Sequence, residues 1–358
     1  MELIESTRRA FAADGAIARA TTGYLPRQGQ IDMAVAVAQA IEDKTPLVVE
    51  AGTGVGKTFA YLVPALLSGQ RVLVSTATKT LQDQLFARDL PQLVAALGVP
   101  VHKALLKGRG SYLCEHRLEI AHHEAADRTV ARTISKIERW AQTTKNGDLA
   151  ELDGLDERSP VIPLVTSTRE NCLGTDCPNA KTCFVNAARR EAFAADVVVV
   201  NHHLFFADLA LRESGIAELL PSVDVAIFDE AHQLNETGIQ FLGQILSGAQ
   251  MLDFCRDMLA AGLQLARGLG DWSALAAACE KSLRDMRLAC GPQTGVKLRW
   301  QAHTPEGLDS AQWEDALGDV HSALLAAQQS LDTVTEISPD LARLHERAVE
   351  LAARAQRF

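Results

Sequence analysis

From Arg27 to Leu106, short apolar runs alternate with segments of helical spacing. Ile31, Val35, Ala38 and Ile41 recur at helical intervals in a segment that opens at Arg27-Gln28-Gly29-Gln30. Leu47–Val49 then predicts a strand, Phe59–Leu67 a helix, Arg71–Ser75 a buried strand, and Val101–Leu106 a further short strand. Thr78 is placed to cap a helix running towards Ala96, and residues 1–26 carry a weaker helical pattern. The alternation predicts an α/β fold, a parallel sheet with helices on both faces. It stops at Tyr112: as far as Val185 the chain is polar, charged and poorly periodic, with one helical stretch at Thr129–Thr143 followed by an acidic loop. It resumes with a helix over Asn186–Ala195 and strands at Val197–Val200 and Val225–Phe228. Beyond Thr237 the composition turns to Ala, Leu, Arg, Glu and Gln with long helical periodicities. Leu341, Leu344, Ala348, Leu351 and Ala352 form one apolar stripe there.

The chemistry sits where this pattern changes period. Between the strand at Leu47–Val49 and the helix after it lies Ala51-Gly52-Thr53-Gly54-Val55-Gly56-Lys57-Thr58. Three glycines let the backbone curl so that successive N–H groups form an anion nest, and the helix start adds its positive dipole end. Lys57 can reach β- and γ-phosphates, and the Thr58 hydroxyl can bind Mg²⁺. Ala51 stands where the first glycine of the strict pattern is usual. The strand Val225–Phe228 delivers Asp229-Glu230-Ala231-His232 to its tip. Asp229 suits the Mg²⁺ that bridges two phosphates, and Glu230 suits the orientation and deprotonation of an attacking water. Gln30 reads either as a solvated residue or as an adenine reader, because an amide can both donate and accept. The hydroxyls of Ser75-Thr76-Ala77-Thr78 are capping groups or contacts to a nucleic-acid backbone. Lys107-Gly108-Arg109-Gly110 reads as a basic turn, and His202-His203 as polar lining of the ligand groove rather than as a metal pair.

Composition narrows the class. A 358-residue chain with 47% hydrophobic residues can hold two or three domains. The formal charge of −10 argues against a protein that coats nucleic acid indiscriminately, but leaves room for a local basic groove. The apolar runs are too short for a membrane span and the acidic N-terminus is unlike a signal peptide, so a soluble cytoplasmic protein is expected. Seven cysteines in such a chain suggest a metal or redox site rather than a disulfide scaffold. Cys172, Cys177 and Cys183 are spaced C-x4-C-x5-C, and Cys114 could complete four ligands from the far end of the polar region. By count, four thiolates suit zinc or an iron–sulfur cluster equally; the lack of short C-x2-C pairs leans to the cluster. Cys255, Cys279 and Cys290 read as small core residues.

Taken together, Ala51–Thr58, Ser75–Leu85, Leu106–Cys114, Asn171–Cys183, Val197–Phe205 and Asp229–His232 resemble the iron–sulfur DNA helicases of the XPD/DinG group, its bacterial YoaA-type branch above all. The likeness covers residues 20 to 240 in order and content. It implies a P-loop NTPase RecA-like domain formed by 1–112 and 186–236, an iron–sulfur cluster insertion over 113–185, and an incomplete helical arch over 237–358. By the same likeness Ala51 to Thr58 with Gln30, Asp229 and His232 hold ATP and Mg²⁺, and Lys57, Asp229 and Glu230 carry the hydrolysis. Cys114, Cys172, Cys177 and Cys183 then hold a 4Fe-4S cluster. The implied activity is ATP-driven 5′-to-3′ movement on single-stranded or forked DNA in repair and replication, by a monomer whose cluster insertion and arch encircle one strand. The branch also implies the chi subunit of the polymerase clamp loader as a partner. Such helicases need a second RecA-like domain with a Ser/Thr-Ala-Thr motif and a Gln-x-x-Gly-Arg-x-x-Arg motif, and residues 233–358 contain neither. The expectation is therefore an N-terminal half, a fragment or a truncated product, that binds ATP–Mg²⁺ but hydrolyses it poorly alone. The rival readings are a non-catalytic DNA- or protein-binding module and a structural Cys₄ zinc protein. A nuclease-coupled relative is disfavoured, since no acidic exonuclease constellation precedes residue 20.

Overall fold

A computed structural model describes residues 2–21, 23–52, 54–124, 128–156, 158–213, 218–242, 245–291, 295–301 and 303–358. The chain divides into two compact units: Met1–Tyr112 with Lys145–Asp148 and Phe184–Gly243, and Leu113–Thr144 with Leu149–Cys183 and Gln244–Phe358. Among the described residues, no helix is long and apolar enough to cross a membrane.

The first unit is built on a parallel four-stranded sheet. Its strands are β1 (Val72–Thr76), β2 (Lys103–Leu105), β3 (Val197–Asn201) and β4 (Val225–Phe228), in the order β2-β3-β1-β4. Val, Leu and Ile dominate these strands because a parallel strand covered on both faces has no solvent side to alternate with. All five residues of β1 are buried, and β1 pairs with β3 from Val72↔Val197 to Thr76↔Asn201. One face of the sheet meets a core of Phe11, Ile17, Leu62, Val63, Val74 and Leu90; Leu73, Leu106, Val198 and Leu220 fill the other. Thr78 caps the Lys79–Gln84 helix by accepting from the Leu81 N–H at 3.2 Å. That helix continues through a π-turn at Leu85–Asp89 into Leu90–Leu97, which Gly98 closes in the left-handed region.

The strand expected at Leu47–Val49 is not formed. The chain from Thr45 to Glu50 is irregular and, among the described residues, pairs with no strand, and Val48 is 96% exposed. An apolar run becomes a strand only where a neighbouring edge takes up its N–H and C=O groups. Among the described residues the sheet ends at β4, which pairs with β1 and whose residues are half-buried or exposed.

The second unit holds helices Glu115–Glu124 and Arg128–Ala141 and a four-helix bundle: Gly248–Leu265, Trp272–Ala289, Ser310–Asp332 and Pro339–Ala355. Each helix of the bundle packs on the next and the first on the last. Three of the four N-termini are fixed by side-chain caps: Asp271 accepts from Ala274 N–H, Asp309 from Gln312 N–H and Ser338 from Leu341 N–H. Met251, Phe254, Trp272, Val320, Leu324, Leu331 and the Leu341–Ala352 stripe make the core. Cys255 and Cys279 are buried in it, as small apolar residues would be.

Candidate nucleotide site and cysteine cradle

The glycine loop depends on conformations that other residues avoid. Gly54 and Gly56 have φ of 81° and 88°, in the left-handed region. A Cβ on Gly56 would stand 2.2 Å from Gln30 Nε2, so this glycine also makes room for a close neighbour. Gln30 is buried, and its Nε2 donates to the Gly56 carbonyl at 3.0 Å. Its amide nitrogen therefore braces the loop. Arg27 donates to the Gly54 carbonyl from the same segment. Ala51 and Val55 are half-buried and Gly52 is exposed, while Thr53 lies outside the described residues. The Lys57–Leu67 helix starts at the loop without a side-chain cap, leaving its first N–H groups to the loop's concavity.

The tip of β4 meets this helix start. Lys57 Nζ is 3.5 Å from Glu230 Oε1, each side chain about one-third exposed, and His232 Nδ1 lies 3.4 Å from Glu230 Oε2. Glu230 has a φ of 56°, a conformation a glutamate adopts only at a cost of roughly 1–2 kcal/mol. Its N–H donates to Asp229 Oδ1 at 3.1 Å, which holds the acidic pair in a fixed order.

Tyr61, one turn into the helix, carries no motif signal yet belongs to the site. Its hydroxyl donates to Asp229 Oδ2 at 3.2 Å. Burial, then the Asp229 carboxylate, pushes the phenol well above its usual range, so it stays protonated and a donor. One candidate Mg²⁺ ligand, Asp229, is thus held by a buried phenol. Tyr61→Phe is expected to weaken Mg²⁺-dependent nucleotide binding about fivefold, the equivalent of about 1 kcal/mol for one hydrogen bond. A fluorescent-nucleotide titration with and without Mg²⁺ checks it; an affinity within twofold of wild type would discount the phenol's role.

Two further predicted groups are placed differently from expectation. His202 is fully buried, bonded to Ser75 Oγ and the Asp229 carbonyl, and burial lowers its pKa; only His203 is exposed. Lys107 does not contribute to a basic surface turn. Its ammonium is buried between Asp83 and Asp148, 2.7 Å from each. Burial pulls its pKa down, but the two carboxylates outweigh burial and the net shift is upward. A lysine stem is long enough to turn inward wherever carboxylates can neutralise its charge.

In the second unit, Cys114, Cys172, Cys177 and Cys183 are free thiols, none of them fully exposed. They are electrostatic neighbours: burial pushes the Cys114 thiol up to about 11, with Cys177, Cys172 and Cys183 adding to the rise. Cys177 is raised by burial and then by Cys172 and Cys183. Among the described residues, no three His, Cys, Asp or Glu side chains converge as they would around a single ion. Bundle residues clasp both cysteine-bearing segments. Asp257 Oδ1 accepts from Arg117 Nη1 and Nη2 at 3.1 Å each, and its Oδ2 accepts from Arg347 Nη1 at 2.8 Å. Asp340 Oδ1 lies 3.0 Å from His116 Nε2, and Arg343 donates to the carbonyls of Arg169 and Glu170. These side chains line a cavity of about 280 Å³.

A glycine loop opening a helix, beside an acidic pair at the tip of a parallel strand, is the arrangement of the P-loop nucleoside triphosphatases. Residues 32–153 match the DEAD/DEAH box helicase family. Over 348 residues, 94% of this chain and 54% of the relative, the chain is 43% identical to the ATP-dependent DNA helicase YoaA of Haemophilus influenzae. The Escherichia coli YoaA is 48% identical over 283 residues, 78% of this chain and 44% of that protein. The ATP-dependent helicase DinG of Mycobacterium tuberculosis is 42% identical over 244 residues, 61% of this chain and 36% of that protein. The chain belongs to the YoaA/DinG family of DEAD/DEAH box helicases, and it spans about half the length of the YoaA relatives it matches.

Proposed function

We propose that this chain is the nucleotide-binding and cluster-bearing part of an ATP-dependent DNA helicase that moves 5′ to 3′ along single-stranded DNA in repair and replication. The observation that carries the reading is the meeting of Lys57 with Glu230, with Asp229 held by Tyr61 beside them. Residues separated by some 170 positions in sequence meet at the carboxyl end of the parallel strand β4, and such strand ends are where these sheets bind ligands. Thr58 and Asp229 would hold Mg²⁺, Lys57 and the loop N–H groups would hold the ATP phosphates, and Gln30 would lie beside the base. A bound Mg²⁺ supplies charge neutralisation between the β- and γ-phosphates. Glu230 then has a water to orient, and breaks its contact with Lys57 to do so. Thr78, Lys79 and Thr80 are exposed beyond β1 and suit contacts to the phosphodiester backbone of the strand.

The four neighbouring thiols fit a 4Fe-4S cluster. Cys114, Cys172, Cys177 and Cys183 would hold the cluster, which would cross-link the two cysteine-bearing segments. The whole protein is read as a cytoplasmic monomer that contacts forked or single-stranded DNA and the clamp-loader chi subunit.

Two experiments test the reading. Titration of the chain with a fluorescent ATP analogue should show Mg²⁺-dependent saturable binding; none at millimolar nucleotide would overturn the nucleotide site. Anaerobic purification should give a broad absorbance near roughly 400 nm with about four irons per chain, lost in Cys177→Ser. A colourless chain carrying one zinc would replace the cluster with a structural ion.

A further inference from the structure

His202 joins two places that the sequence presents as separate. Its Nδ1 is 2.7 Å from Ser75 Oγ at the end of β1, and its Nε2 is 2.9 Å from the Asp229 carbonyl oxygen at the end of β4. Both His202 and Ser75 are fully buried, out of reach of competing water. A carbonyl can only accept, so Nε2 carries the proton; Nδ1 of the neutral ring then accepts from the Ser75 hydroxyl. Both bonds have one possible direction, and the planar ring fixes the distance between them. A backbone bond runs alongside, from Asp229 N–H to the Ser75 carbonyl at 2.9 Å.

What lies beyond each end of this strut gives it meaning. On one side, Asp229 leads to the acidic pair facing Lys57. On the other, Ser75 leads into the turn in which Thr76 Oγ1 donates to the Thr78 carbonyl at 3.2 Å and Thr78 caps the next helix. Residues Thr78, Lys79 and Thr80 are exposed there. We propose that His202 is a positioning residue that couples the nucleotide site to the Thr76–Thr80 turn, so that engagement of Asp229 and Glu230 sets the conformation offered to a phosphodiester strand. The proposal rests on the nucleotide and DNA reading above and adds the route between the two ligands. Coupling of this kind is reciprocal: a strand bound at the turn would raise the affinity for nucleotide by the same factor.

A purely structural strut would hold the fold and transmit nothing, and hydrogen exchange separates the two cases. The chain is compared with and without a non-hydrolysable ATP analogue and Mg²⁺, in peptides covering residues 50–60 and 76–84. Nucleotide should slow exchange in both regions of the wild type, by about tenfold in 76–84. In Ser75→Ala, which removes one hydroxyl and keeps the Asp229 bond, protection of 50–60 should persist while that of 76–84 falls below about twofold, beneath the usual range of coupling. His202→Ala should do the same. Equal protection of 76–84 in wild type and Ser75→Ala, or none there in the wild type, overturns the relay. Absence of protection at 50–60 in the wild type would overturn the nucleotide site itself, and the relay with it.

Discussion

The Lys57→Ala chain is expected to lose nucleotide binding by roughly two orders of magnitude while melting at the wild-type temperature. The two halves of this expectation have different physical sources. An ammonium that meets a polyphosphate in a cleft contributes about 2–5 kcal/mol, because truncation leaves charge on the ligand without a partner. The same ammonium in the free chain faces Glu230 at 3.5 Å with about a third of each side chain exposed. Such a pair is screened by water and contributes roughly 0–1 kcal/mol to folding. Titration with labelled nucleotide and a thermal melt on the same sample read both quantities. Tight binding by the variant would remove Lys57 from the phosphate site; a large fall in melting temperature would make it structural.

Asp257→Ala should produce the opposite pattern, a large loss of stability with nucleotide affinity intact. This carboxylate is about nine-tenths buried and accepts from two buried guanidiniums, Arg117 and Arg347, the second lying over the Phe254 ring. Removing it leaves two positive charges without a counter-ion in a site already short of partners, since Arg117 Nε has none. The expected cost is about 3–5 kcal/mol, on the order of 10 °C in the melting of a unit of this size. Asp253→Ala is the control: its pair with Arg256 is about 40% exposed on both sides, and its loss should cost less than about 1 kcal/mol. Circular dichroism during heating checks both. A melt within about 2 °C of wild type, under about 1 kcal/mol in a unit of this size, would show that the arginines find other partners.

The sequence made some of this architecture legible and hid the rest, for reasons that can be traced to individual residues. Local signals with one physical meaning read well. Thr78 caps its helix, β1, β3 and β4 form from their apolar runs, and the Leu341–Ala352 stripe is buried as its spacing requires. The loop and the acidic pair are local patterns too, and the fold brings Lys57 to Glu230. Properties that depend on a distant partner were not legible. Leu47–Val49 has a strand's composition, but composition does not supply the neighbouring edge. Lys107 looked like surface charge because Asp148, one of the carboxylates that bury it, lies 41 positions away. Tyr61 sat within a helical apolar pattern, where a phenol is indistinguishable from core until Asp229 is seen at its hydroxyl. Likewise nothing near Asp257 announces Arg117 or Arg347. A glutamate at positive φ could not be foreseen at all, since only the packed structure holds Glu230 there.

The unpaired run before the loop has a thermodynamic consequence. The backbone from Pro46 to Glu50 makes no ladder bonds among the described residues, and it leads directly into the segment that must close on phosphate. Fixing each such residue costs about 1–2 kcal/mol of conformational entropy at room temperature. Part of that ordering falls on the nucleotide when it binds. Association with this chain should therefore be driven by enthalpy, opposed by entropy, and progressively weaker as the sample is warmed.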